Sequence, residues 1–279
     1  VLTPCLGDSI KQIVKDHINH ILFQRHLLWE FLRRDLQARY IGSAMGFFWS
    51  VINPLILLVV YTFVFGIILK AKYEARGMQS GTWDFAFYIF CGLLPWYAFQ
   101  ESIVRSTTCI IDNSHLIKQV RFPAKILPAY LTLSSITNQL IGTAIFIVVL
   151  LFAGYASITW IAFLPVLVLE MILFVGLGLL LSTLNVYLRD IAPLVGISTM
   201  ILMWAAPMLY PIYMVPDLFL PIIFANPITY LITIHHDLFI FSTWPSLEHW
   251  IILAALSLSF LGLGYSVFTR CHHEFADLV

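Results

Sequence analysis

Charge is what this sequence has least of. Acidic and basic side chains together make up 11% of its 279 residues, too few to coat a soluble globule of that length, and a mean hydropathy of +0.90 agrees. Net charge is zero, with 15 residues of each sign. No run of Lys and Arg forms a nucleic-acid patch, which excludes nucleic acid as a partner. The four cysteines, Cys5, Cys91, Cys109 and Cys271, are widely separated. They show no CxxC or Cys/His ligand spacing, so neither a disulfide framework nor a metal site is expected and each reads as a small apolar filler. Nucleophile-elbow, HExxH and phosphate-loop patterns are missing, so the sequence names no catalytic residue and no cofactor of its own. Any energy source must come from another chain or an ion gradient. The stretch VLTPCLGDSIKQIVKDHINH has no apolar segment before a small-residue cleavage site, so the first span is expected to direct insertion with the N-terminus in the cytoplasm.

What is present is a series of uncharged apolar runs. Phe47 to Leu69 reads FFWSVINPLILLVVYTFVFGIIL, long enough to cross the ~30 Å hydrocarbon layer as one helix. Further runs near 86–109, 127–152, 158–184, 192–210 and 249–269 bring the expectation to six spans. The expected fold class is an all-α membrane protein forming one transmembrane domain over 1–279. It divides into an N-terminus with a surface helix at 1–46, a six-span bundle at 47–269 and a tail at 270–279. Six crossings return both ends to one side, and Lys11, Lys15, Arg25, Arg33, Arg34, Arg39, Lys118, Arg121, Lys125, Arg189 and Arg270 mark that side as cytoplasmic. Only Lys70, Lys72 and Arg76 fall against this rule.

Ahead of the first span, LLWEFLRRDLQARYIGSAMG reads as a basic amphipathic helix on the membrane surface. At about 100° per residue, Leu28, Trp29, Leu32, Leu36 and Tyr40 share one stripe, with Glu30, Arg33, Arg34 and Gln37 opposite. Between Pro207 and Phe241, the prolines at 207, 211, 216, 221 and 227 interrupt any single helix. This segment reads as re-entrant and bordering an outer mouth, with an ordinary extracellular loop as the alternative.

Several residues carry possible chemistry. In HLIKQVRFPAKILP, the apolar Leu116, Ile117, Val120 and Phe122 alternate with Lys118 and Arg121 between His115 and Pro123. Such a pattern fits a docking handle for a partner's groove, or equally a surface helix with snorkelling bases. The first span places Phe47, Tyr61 and Phe65 within roughly 40° of one another. With Trp49, Trp96, Tyr97, Trp204 and Tyr210 they are candidates for a sugar path, because pyranose C–H faces pack on flat rings. Lipid-facing aromatic belts account for the same residues. Glu101 and Glu170 fall inside apolar spans and should be interior, protonated or paired. Glu101 has Arg105 one turn away as a partner, whereas Glu170 lacks a nearby base. His235, His236 and Asp237 are adjacent on one helix and point apart, which disfavours a metal or acid/base site.

In several separated places the chain resembles the membrane subunits of ABC-2-type exporters of O-antigen, capsule and teichoic-acid polysaccharides. DLQARYIGSAMGFFWSVINPL, from Asp35 to Leu55, is similar to the family's RDxxxRYxxSxLGxxWxxxxPL entry motif, with Met45 where leucine is usual. HLIKQVRFPAKILP resembles the coupling helix, NVYLRDI the link before span five, and APMLYPIYMVP with ANPITYL the outer region. The resemblance implies a bacterial inner-membrane homodimer, two separate ATPase subunits hydrolysing MgATP, and a path for lipid-linked polysaccharide where the two copies meet. His115 to Pro123 would then contact the ATPase, and Arg33, Arg34 and Arg39 would recognise pyrophosphate, or anchor the helix to anionic membrane lipid. Ten residues after Asn226, where relatives often carry arginine, stands His236, which turns a fixed charge at the mouth into a titrating one. An exporter of a small hydrophobic compound, an ion-coupled flippase using Glu170, and a membrane transferase using His235, His236 or Asp237 are the competing readings.

Overall fold

The computed structural model describes residues 25–39, 48–68, 84–118 and 122–279. Tyr40, Phe47, Val120, Arg121 and the basic residues at 70, 72 and 76 lie outside them, as does the side chain of Trp49. Among the described residues every regular element is helical. Residues 25–38 form α1. The helix α2 (Phe48–Tyr61) runs into a π-helical segment, Thr62–Ile68. Then follow α3 (Asp84–Asp112), the single turn α4 (Ser114–Ile117) and α5 (Ile126–Phe152). A 3₁₀ turn, Ile158–Ala162, leads into α6 (Phe163–Tyr187), and α7 is Ile191–Trp204. The chain closes with α8 (Leu220–Ala225), α9 (Pro227–Phe239), α10 (Leu247–Cys271) and α11 (Phe275–Leu278).

Three helical stretches are individually long and apolar enough to cross a bilayer: Ile126–Phe152, Ile158–Tyr187 and Leu247–Leu278. The pair Asp217–Ala225 and Pro227–Phe239, bent by 99°, makes a fourth if counted as one span; a broken span and a re-entrant loop both fit it. Ile52–Phe65 and Ile191–Trp204 are shorter apolar helices. The run expected at 192–210 therefore stops early, at Trp204. Pro207 provides the reason, since it disfavours helical geometry at the residue before it and supplies no N–H.

α3 is long, with 29 residues, yet less apolar than its neighbours because it is the inner helix. It packs against α5, α6, α7 and α9, and from Phe85 to Phe99 nearly every side chain is buried. Its polar groups meet protein rather than lipid. The Ser102 and Thr132 hydroxyls lie 2.9 Å apart, and Thr107 donates to the Ile103 carbonyl at 2.8 Å. Backbone and side-chain donors at membrane depth need such internal partners. α10, by contrast, exposes Ile251, Leu258 and Leu263, as a helix bordering lipid does.

α6 and α10 meet at glycines. A Cβ on Gly264 would collide with the Gly176 carbonyl oxygen, and one on Gly176 would lie 2.6 Å from the Phe260 carbonyl carbon. Small residues at a helix crossing let the backbones touch and gain dispersion contact where lipid gives no hydrophobic drive. The bend ahead of α9 is set by Asn226, whose side chain accepts from Ile228 N at 3.0 Å and donates to the Leu202 carbonyl at 3.1 Å. One residue thus caps α9 and ties it to α7.

Two cores result. The larger gathers α3, α5, α6 and α9 around Trp96, Phe146, Phe174 and Phe239. The smaller lies at one end of the bundle, where Ile126, Tyr130, Phe268 and Phe275 are joined by Phe31 of α1, Ile117 and Phe122.

Candidate functional site

α1 is fastened to the bundle by charge. At about 100° per residue, Leu28, Leu32, Asp35 and Arg39 fall within roughly 60° of one another. That line, not the one through Trp29, faces the protein: Leu32 is buried and Trp29 is 61% exposed. Phe31 also turns inward, its ring 5.3 Å from Tyr130 and 6.0 Å from Phe122. At the inner end of the line the Asp35 carboxylate accepts from both terminal guanidinium nitrogens of Arg105 on α3. Ser134 of α5 donates to Asp35 at 2.6 Å. Arg39 lies 3.3 Å from Asp35, donates to Ser134 at 2.9 Å and pairs with Glu101, which also accepts from Arg105 at 3.2 Å. Two carboxylates and two guanidinium groups thus close a ring between α1 and α3, with no net charge, and the Ser134 hydroxyl joins α5 to it. Burial acts to raise the Asp35 carboxyl, but donation from Arg105 and Ser134 and the charges of Arg105 and Arg39 together hold it below its ordinary value.

The three arginines grouped by sequence are therefore divided. Arg39 is inside this ring, while Arg33 and Arg34 are exposed on the opposite face of α1. Beside them, Arg25, His26, Leu28, Trp29 and Leu32 form with Leu133 a groove between α1 and α5.

The eight aromatic candidates are also divided. Tyr61 and Phe65 stack with ring centres 6.1 Å apart, and Phe65 meets Phe85 edge-on at 5.5 Å, so this stripe packs on α3. Trp96 is fully buried beside Phe99. Tyr97 is 42% exposed and interacts with the Tyr61 hydroxyl. Trp204 is 59% exposed, and its carbonyl accepts from the Tyr210 hydroxyl at 2.8 Å. Phe47 and the side chain of Trp49 fall outside what is described.

In the segment from His115 to Pro123, His115 and Lys118 are exposed, Leu116 is half-buried, and Ile117 and Phe122 pack into the smaller core. Two of the apolar side chains that made it a docking handle are thus engaged by the chain itself. Glu170 is fully buried and accepts one hydrogen bond, from Gln139 at 3.1 Å. His236 is enclosed, stacked on Tyr88 at 3.8 Å, with Nε2 donating to the Tyr88 carbonyl at 3.0 Å. Its ring is closed off from solvent. Among the described residues no His, Cys, Asp and Glu gather as metal ligands.

Sequence reasoning anticipated the Glu101–Arg105 pair from its spacing, but not the ring. The missed signal was Asp35 and Arg39 on the same helical line as Leu28 and Leu32.

The relatives of the chain carry one description. It is 30% identical over 263 residues to the O-antigen export system permease protein RfbA of Myxococcus xanthus, which covers 91% of this chain and 96% of that one. Two proteins of the same description from Klebsiella pneumoniae are 28% and 26% identical over 255 residues, again spanning 91% of this chain and 95% of theirs. Residues 26–240, from α1 through the bent pair, match the family of ABC-2 type transporters, and the chain belongs to that family.

Proposed function

We propose that this chain is the membrane permease of an exporter that moves a polyprenyl-pyrophosphate-linked, O-antigen-like polysaccharide across a bacterial inner membrane. The observation that carries the reading is the alignment of nearly the whole chain with O-antigen export permeases. ATP hydrolysis then belongs to two separate nucleotide-binding subunits carrying MgATP, and a second copy of the permease completes the path. In this reading α2 and α7 pair with the longer helices to give six spans, and the bent pair re-enters from the outer side.

The convergence of α1, the 115–125 element and α11 on one core favours placing all three at the cytoplasmic end, where an ATPase would dock. His115 and Lys118 are exposed there. Arg33 and Arg34 suit a phosphate-bearing lipid at the same surface.

The test is extraction of the chain from its native membrane in mild detergent, followed by Mg-ATP hydrolysis with and without lipid-linked glycan. An ATPase subunit should copurify, and the glycan should change its turnover by about twofold or more. A chain that elutes alone after crosslinking, with no hydrolysis, defeats the proposal and favours ion-coupled transport.

A further inference from the structure

The groove between α1 and α5 has a volume of about 780 Å³. Leu28, Leu32 and Leu133 give it an apolar surface, and Trp29 stands beside them, well exposed. The first turn of α1 adds Arg25 and His26. Among the described residues no carboxylate lines the groove and none pairs with Arg25. Leu133 also begins an outward line of α5. At about 100° per residue, Leu133, Leu140, Ala144 and Leu151 fall within roughly 40° of one another, and the last three of them are exposed. The line is about 27 Å long, close to the ~30 Å of a hydrocarbon layer.

A basic groove that continues into an apolar helix face of this length matches an amphiphile with a charged head. A soluble peptide or sugar would leave the α5 line uncovered. One acyl chain crosses half of the hydrocarbon layer, about 15 Å, which takes it from Leu133 to Ala144. Charge sets the class of head. Arg25 is the fixed positive charge that lines the groove, and it balances one phosphodiester. A pyrophosphate would stay largely unbalanced, because Arg39 is held by Asp35 and Glu101, and Arg33 and Arg34 lie on the other face of α1. The indole of Trp29 suits the boundary between head and chains. We propose that the groove binds an anionic glycerophospholipid, with its phosphate at Arg25 and one acyl chain along α5 from Leu133 to Ala144. This goes beyond the exporter reading, because the lipid is a resident of the bilayer and not the cargo.

The test places the full-length chain in phosphatidylcholine nanodiscs that contain a small fraction of phosphatidylglycerol carrying a diazirine on its acyl chain. After irradiation, labelling of α5 between Leu133 and Ala144 is divided by that of Leu258 and Leu263, which are exposed on α10 and report bulk lipid. The ratio should exceed that of a matched phosphatidylcholine probe by about fivefold, the weight of one basic side chain beside an anionic surface. Arg25→Gln should bring the two probes level, and Arg25→Lys should keep most of the preference. Both substitutions fall at an exposed position, so folding is not at stake. Equal ratios for the two probes, or a preference untouched by Arg25→Gln, overturns the proposal. So does displacement of the probe by polyprenyl pyrophosphate where equimolar unlabelled phosphatidylglycerol fails, which gives the groove to the transported lipid. The glycan response of the copurified ATPase is scored separately. Equal labelling with an intact response removes the phospholipid site alone, whereas loss of the response removes the exporter reading and leaves the labelling to decide the site.

Discussion

Asp35 holds together groups from three helices with one carboxylate. Arg105, Arg39 and Ser134 all donate to it, and its side chain is 13% exposed. An enclosed ion pair adds little by comparison with a well-packed apolar pair, yet removing one partner leaves the other unbalanced. Asp35→Asn should therefore cost about 2 kcal/mol, a fall of roughly 4–8 °C in the melting temperature of the detergent-solubilised protein. Arg105→Gln should cost a similar amount. The double variant should recover about 1 kcal/mol or more relative to the sum, and strict additivity would show that the ring contributes no coupling. The pH dependence has a definite sign. Because the carboxyl of Asp35 is held below its ordinary value of 3.8, its contribution is present above that pH and is lost as pH falls through the lower, folded value. The gap in melting temperature between the native chain and Asp35→Asn should close as pH drops below about 4. A gap that persists at lower pH would remove the carboxylate charge as its cause.

At the scale of the element, the α6–α10 crossing separates two glycines two residues apart. A Cβ on Gly264 would meet the Gly176 carbonyl and sit 3.2 Å from Leu180 N, all backbone atoms that cannot turn aside. A Cβ on Gly262 would meet nothing within 4 Å. Gly264→Ala should destabilise by about 3 kcal/mol through forced separation of the helices. Gly262→Ala should be neutral or stabilise by up to about 1 kcal/mol through helix propensity. Equal melting temperatures for the two variants would contradict the close crossing. The helices themselves were legible in the sequence because a chain in lipid must close its own backbone hydrogen bonds, so long apolar runs have few alternatives. Four expected runs, at 86–109, 127–152, 158–184 and 249–269, fall inside observed helical stretches. What the sequence hid was orientation. Hydrophobicity groups Trp29 with Leu28 and Leu32 on the apolar stripe of a membrane-surface helix, whereas the line of α1 that faces the bundle contains Asp35 and Arg39, because their partners Glu101, Arg105 and Ser134 come from distant helices. A four-residue spacing reveals Glu101–Arg105; no local pattern reveals Arg39–Glu101. Trp96 was likewise unreadable, since a tryptophan near a span end suits a belt, a path or a core, and only packing against Phe99 decides for the core.

For the whole molecule, the smaller core joins α1, the 115–123 segment, α10 and α11, parts that the proposed exporter would have to move in concert. Phe31 of α1 reaches Phe122 of the 115–123 segment, Lys125 Nζ lies 4.2 Å above the Tyr265 ring of α10, and Tyr187 donates to Glu274 at 2.6 Å. Phe275 is fully buried at the centre, edge-on to Phe268 at 5.3 Å. A force applied at His115 or Lys118 by a docked ATPase would reach α1 through this cluster, because packed side chains shift as a unit rather than compress. Phe275→Ala leaves the exposed His115 and Lys118 in place and opens a cavity costing about 3 kcal/mol. In liposomes containing the complete exporter, the variant should still bind its ATPase and hydrolyse ATP, but with severalfold fewer glycans moved per ATP. Leu278→Ala, at an exposed position of α11, should leave that ratio unchanged. If Phe275→Ala lowers transport and hydrolysis in the same proportion, the cluster supports folding and does not link His115 and Lys118 to α1.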